Sequence, residues 1–173
     1  MKSIAAIPLL AAGMVRAVSM IDYAPQCGVD PEFGPWYYEL LRNNEDPTTT
    51  SSYTEFFAPN GSLVVLGSVA TGADAILQAR AGMLPADGSV QWNHFPNRTY
   101  VAEDTPTEKT YHLFGVMQTV IPAEGSCSTT YFQTLFTVAK NTTTGKAILE
   151  PQGGSLLTYD GIVITSSEDT CTK

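Results

Sequence analysis

The chain has 173 residues and a net charge of −8, with nine basic against 17 acidic side chains. That balance excludes a protein built to grip phosphate backbones, which needs Lys and Arg to displace counterions. It also disfavours docking on an anionic membrane. The length suits one domain with its own core.

The chain opens with Lys2, an apolar run from Ile4 to Val15, and the small residues Ala17 and Ser19. This is the layout of a cleavable export signal over residues 1–19, cut after Ala17 or Ser19. The run is too short to span a bilayer, so no membrane association is expected after cleavage. The remaining chain holds seven basic and 17 acidic residues, a net charge of −10. An exported protein meets an oxidising compartment, so one bridge is expected among Cys27, Cys127 and Cys171. The two near the chain ends, Cys27 and Cys171, are the expected pair. No cysteine pair has the spacing of metal ligands, so no metal site is expected. Three sequons, at Asn60, Asn97 and Asn141, mark expected glycosylation sites, each of which must face solvent.

Residues 20–34 are rich in Pro and Gly and read as an extended lead-in. A helix then opens at Pro35, which suits a first turn. Tyr37, Leu40 and Leu41 fall on one helical face, and Asn43–Pro47 ends it. A short helix over 48–57 follows, with Tyr53, Phe56 and Phe57 in the same spacing. Ala58-Pro59-Asn60-Gly61 reads as a turn and Ser62–Leu66 as a strand. Thr71 caps a third helix, with Ile76, Ala79, Arg80 and Met83 on one side. Strands are predicted over 90–101, 109–121, 129–139, 147–150 and 155–165. Helices first and an antiparallel sheet after make an α+β domain over 35–166, followed by a tail over 167–173. A long curved meander wrapping about three N-terminal helices makes a cone with an internal cavity.

Only two histidines occur, His94 and His112, each mid-strand in consecutive strands. Imidazole is the side chain best suited to proton transfer near neutral pH. Side chains alternate along a strand. If Asn97 faces solvent, His94 faces inward with Trp92, unless Pro96 brings a bulge that spoils the count. The second strand is apolar on both faces. The inward face is taken as that of His112, Phe114 and Val116, and in the next strand that of Phe132, Thr134 and Phe136. Trp36, Tyr37, Trp92, Phe114, Phe132 and Phe136 are the aromatic residues expected to line the cavity.

The pattern resembles the NTF2-like superfamily and, within it, the SnoaL-like group. The stretches that carry the resemblance are Tyr37–Arg42, Phe56–Val65, the helix over Gly72–Met83, His94–Val101 and Tyr111–Gly115. The resemblance implies a curved antiparallel sheet cupping three helices, often as a homodimer. Asn93-His94-Phe95 and Thr110-Tyr111-His112-Leu113 are similar to the segments that carry the pocket histidines of scytalone dehydratase-like enzymes. That likeness implies His94 and His112 as an acid/base pair. The tyrosines and aspartate with which those enzymes hold a water have no match in Leu63–Leu66 or Asn43–Pro47. Two functions are therefore expected. One is a secreted lyase, isomerase or cyclase that needs no cofactor and acts on a small apolar metabolite. The other is a secreted module that binds a small molecule or a partner protein without chemistry.

Overall fold

The computed structural model describes residues 18–167 and Cys171; the expected leader lies outside the described residues except for Val18 and Ser19. The chain runs β1 (Ala24–Pro25), α1 (Phe33–Glu45), α2 (Ser51–Thr54), β2 (Phe57–Val65), β3 (Ser68–Thr71), α3 (Ala73–Met83), β4 (Gln91–Asp104), β5 (Glu108–Ile121), β6 (Ser126–Ala139) and β7 (Leu156–Ser167). Seven strands form one sheet in the order β1-β4-β5-β6-β7-β2-β3. The expected antiparallel meander is its centre, β4 to β7. The whole sheet is mixed, because β1 joins β4 and β2 joins β7 in parallel. The result is an α+β cone: a curved, unclosed sheet wrapping three helices.

Helix α1 supplies most of the filling. Phe33, Trp36, Tyr37, Leu40 and Leu41 are fully buried on one face. Their rings meet aromatic side chains of the sheet, with Phe33 4.2 Å from Tyr111 and Tyr37 5.2 Å from Phe136. Each such side chain contributes about 1.5–3 kcal/mol through burial.

Several expectations are corrected here. Helix α1 does not end at Asn43 but continues to Glu45. The turn expected at Ala58–Gly61 lies inside β2, where the pairing with β7 shifts register between Phe57 and Ser62. Gly61 is needed there, since a Cβ would lie 2.6 Å from the carbonyl of Leu156. The N-cap of α3 is Gly72 at φ 79°, not Thr71, which ends β3 opposite Ser62. Residues 147–150 make only one bridge, Lys140 to Ala147.

The disulfide is Cys127–Cys171, with Cα atoms 5.6 Å apart, and Cys27 is free and exposed. The expected Cys27–Cys171 bridge is thereby overturned, and topology explains why. Strands β6 and β7 are antiparallel neighbours, so the start of β6 meets the end of β7, with Thr129 opposite Ser167. Cys127 and Cys171 sit just beyond that rung. Among the described residues no helix is long and apolar enough to cross a membrane.

Candidate functional site

Register decides which side chains reach the inside of the cone. In the pairing of β4 with β5, His94 stands opposite Met117 and Pro96 opposite Gly115, but Thr99 stands opposite Leu113. Asn97 and Arg98 therefore share one partner, Phe114, and form a bulge. A bulge flips the face on which each later side chain points. Before it, the even residues Trp92 and His94 face inward; after it, buried Thr99 does, and Tyr100 faces out. Tyr100 lies opposite His112.

His112 is therefore on the outer face, which corrects the inward placement expected for it and for Phe114. The burial of β5 shows why: Tyr111, Leu113 and Gly115 are buried, while His112, Phe114 and Val116 are only half-buried. The His112 ring lies 4.6 Å from that of Phe114 and 5.0 Å from that of Tyr100. Nδ1 lies 2.5 Å from the Tyr100 hydroxyl, and Nε2 lies 3.0 Å from Gln133 Oε1. The amide oxygen can only accept, so the neutral ring donates from Nε2 and accepts at Nδ1. Both nitrogens are satisfied.

His94 has a different partner. Its Nδ1 lies 2.9 Å from Glu45 Oε1, and its main-chain N–H donates to the same oxygen at 2.5 Å. The two side chains are 5% and 8% exposed, so this is a buried pair rather than a surface one. Glu45 ends α1, which points its carboxylate at β4. With Nδ1–H donating to Glu45, the lone pair of the neutral ring is on Nε2. The rings of Trp92 and Phe132 stand edge-on to the imidazole, 6.1 and 5.6 Å away.

His94 lines a cavity of about 110 Å³ between the sheet and α2 and α3. That is room for several waters, or for one small organic molecule, rather than for a single water. Leu63, Val65, Met83, Met117 and Phe132 make much of its wall apolar. The polar groups in the wall include Asn44, Tyr53, Arg80, Thr134 and Tyr159. Burial, with Tyr159 adding to it, pushes the Tyr53 hydroxyl well above its ordinary value. Burial, with Glu45 adding to it, does the same to Tyr159. Both phenols are therefore neutral donors around pH 7. Burial lowers the Arg80 guanidinium from its usual value, against the opposing pull of Tyr53 and Asp46.

Of the aromatic residues singled out from sequence, Trp92 and Phe132 line the cavity. Trp36, Tyr37 and Phe136 do not; each is fully buried in the core between α1 and the sheet. Phe114 belongs to the outer cluster. Asn60, Asn97 and Asn141 are exposed. Glu45 falls in the Asn43–Pro47 run that reads as the end of the helix, yet one more turn of the α1 period places it above Leu41, on the buried face. Arg80 gave a similar signal, being a cation on the apolar side of α3. Among the described residues no three His, Cys, Asp or Glu side chains converge as metal ligands.

No family model and no curated protein sequence matches this chain. Solved structures do. A scytalone dehydratase homologue from Novosphingobium aromaticivorans superposes with a TM-score of 0.57 at 14% identity, over 80% of this chain and 83% of that one. The ActVI-ORFA protein of Streptomyces coelicolor gives 0.60 at 11% identity, over 77% and 95%. A type 2 hexachlorocyclohexane dehydrochlorinase, LinA, gives 0.60 at 6% identity, over 80% and 90%. The chain has the NTF2-like fold. At these identities the likeness shows the fold alone. Within the NTF2-like cone, the observation that bears on chemistry is this chain's own buried Glu45–His94 pair.

Proposed function

We propose that this is an exported protein whose cone holds a small, mostly apolar molecule, and that His94, oriented by Glu45, moves a proton on that molecule. The observation that carries the reading is the buried carboxylate–imidazole pair set in the wall of an apolar cavity. The carboxylate holds the ring in one tautomer and one orientation, and lies against the positive charge that the ring gains with a proton. Nε2 takes a proton from a carbon of the bound molecule. The C–H electron pair forms a new double bond to the next carbon, the double bond already on that carbon shifts its pair to the carbon beyond, and that carbon takes the proton back from Nε2. The sum is an isomerisation, balanced without an external oxidant, reductant or cofactor. Where a leaving group sits on the next carbon, the same start leads to elimination, with the proton carried off by the departing group. The NTF2-like neighbours named for a dehydratase and a dehydrochlorinase support that range.

Export is supported by the leader pattern, the disulfide between Cys127 and Cys171, and the solvent-facing asparagines of all three sequons. Glycosylation at those asparagines belongs to the same proposal.

The test is isotopic. Protein purified from its native host is extracted, the co-purifying small molecule is identified by mass spectrometry, and it is returned to the protein in D2O. Wild type is expected to place deuterium on carbon, and His94→Gln to place none. A second reading, a binding module without chemistry, is favoured by the removal of His112 from the cavity. It predicts a bound molecule that wild type leaves unlabelled, and that result would overturn catalysis.

A further inference from the structure

The outer face of the sheet carries an aromatic cluster that the cavity does not use. Register sets it in rows. Tyr100 of β4 stands opposite His112 of β5. In the next row the bulge residues Asn97 and Arg98 stand against Phe114, and Phe114 stands opposite Gln133 of β6. Phe95 precedes Asn97 by two residues, so both point to this face. The Phe114 ring lies 4.6 Å from that of His112 and 6.1 Å from that of Tyr100. Phe95, Tyr100, His112 and Phe114 are each half-buried, so part of each ring meets solvent. The polar atoms of the cluster satisfy one another, Tyr100 with His112 and His112 with Gln133. What remains outward is mostly ring surface.

Asn97 is exposed and stands inside this patch, next to Phe95 along the strand and to Phe114 across it. It is also the acceptor of the sequon Asn97-Arg98-Thr99. Side chains opposed in a ladder start about 4.5–5.5 Å apart, so a sugar on Asn97 begins beside the Phe114 ring. N-acetylglucosamine, the sugar that joins asparagine in such glycans, has an apolar face of C–H bonds and an edge of hydroxyl and acetamido groups. The C–H face suits an aromatic ring. The edge suits water and the amide of Gln133. Asn141 gives a contrast within the same chain. Its loop, Asn141-Thr142-Thr143-Thr144-Gly145, holds no aromatic residue. Its Oδ1 accepts from the main-chain N–H groups of Thr143 and Thr144.

We propose that the outer aromatic cluster is the seat of a glycan on Asn97, whose first N-acetylglucosamine lays its C–H face on Phe114 and Phe95. This rests on the reading of the chain as exported and glycosylated. An exposed apolar patch on a protein favours association. A sugar tethered inside the patch occupies it ahead of a free partner, because the tether fixes its effective concentration. His112 then belongs to the platform, holding Tyr100 and Gln133 in place, a role without proton transfer.

The test uses the full-length chain, expressed with its own leader in a eukaryotic host fed isotope-labelled sugar and trimmed to a single N-acetylglucosamine per occupied site. Peptide mass spectrometry reads the occupancy of each sequon, NMR reads the sugar protons, and ultracentrifugation reads the association state. Protons of the Asn97 sugar should lie upfield of their positions in the isolated glycopeptide, moved by the ring currents, while those of a sugar on Asn141 keep theirs. Phe114→Val should remove the shift and leave Asn97 occupied. Asn97→Gln should lower the folding equilibrium constant about fivefold, as expected for returning roughly 40 Å² of apolar surface to water, and much less in the Phe114→Val background. If a variant fails to fold, the wild-type shifts decide. An occupied Asn97 whose sugar keeps its glycopeptide shifts overturns the proposal and leaves export standing. So does a bare Asn97 beside an occupied Asn60 or Asn141. A dimer of the glycosylated protein that Phe114→Val takes apart also overturns it, by making a second copy the occupant. A chain retained in the cell with no sequon occupied overturns the export reading as well.

Discussion

His94 and His112 sit on neighbouring strands, six residues of β4 and five of β5 apart in the ladder, and end in opposite environments. One is buried against a carboxylate in the wall of a cavity. The other packs between two aromatic rings on the outer face, with both nitrogens hydrogen-bonded to Tyr100 and Gln133. The difference is made by strand parity and by one extra residue in the bulge at Asn97–Arg98. It teaches that histidine chemistry here depends on the sheet face, and that a face is set by register rather than by residue type.

The largest expected effect separates the two rings. His94→Gln should lower deuterium labelling of the bound molecule by roughly 10²- to 10⁴-fold, the usual loss for a removed general base. His112→Gln should leave labelling nearly unchanged. Equal losses would break the contrast.

The two tryptophans sharpen it next. Trp36→Ala empties a fully buried core site and should cost about 3–5 kcal/mol in chemical denaturation. Trp92 is half-buried in the cavity wall. Trp92→Ala should cost less stability and instead weaken binding of the co-purifying small molecule.

Gly115 links the faces more subtly. A Cβ there would lie 2.7 Å from Phe132 Cζ and 3.0 Å from the Phe95 carbonyl. Gly115→Ala should cost about 1–3 kcal/mol by overpacking. It should also change the affinity for the co-purifying small molecule, since Phe132, which lines the cavity, must move.

The smallest effect lies away from both histidines. Asp30 accepts from Lys109 and Tyr111, each at 2.5 Å, tying the lead-in to β5. Burial alone would raise its carboxyl, but those two partners outweigh burial and hold it below the ordinary value. A carboxyl whose folded pKa is depressed stabilises the fold above its unfolded value, about 3.9, and loses that contribution as pH falls through the folded value. Asp30→Asn should therefore flatten the stability profile on the acid side of about pH 4, leaving ligand binding unchanged.

The helical spacing of Tyr37, Leu40 and Leu41 and the four long strands were legible, because a helix and a meander bury continuous apolar patterns. The Cys127–Cys171 bridge was not, since it depends on the register of β6 against β7 rather than on distance from the chain ends. The face of β5 was illegible for a related reason. His112, Phe114 and Val116 are as apolar a set as Tyr111, Leu113 and Met117, and only the partner strand breaks the tie. Glu45 was missed because the Asn43–Pro47 run reads as a helix stop, whereas Arg80 holds the carbonyls at that end and lets the last turn form.

The most direct test of the two-face contrast is long-range nitrogen NMR of both imidazoles, with and without the co-purifying small molecule. His94 should carry its proton on Nδ1 and shift when that molecule binds, while His112 should carry its proton on Nε2 and stay still. A shift of His112, or a His94 that is protonated on Nε2 and indifferent to the bound molecule, would contradict the placement on which the proposed chemistry stands.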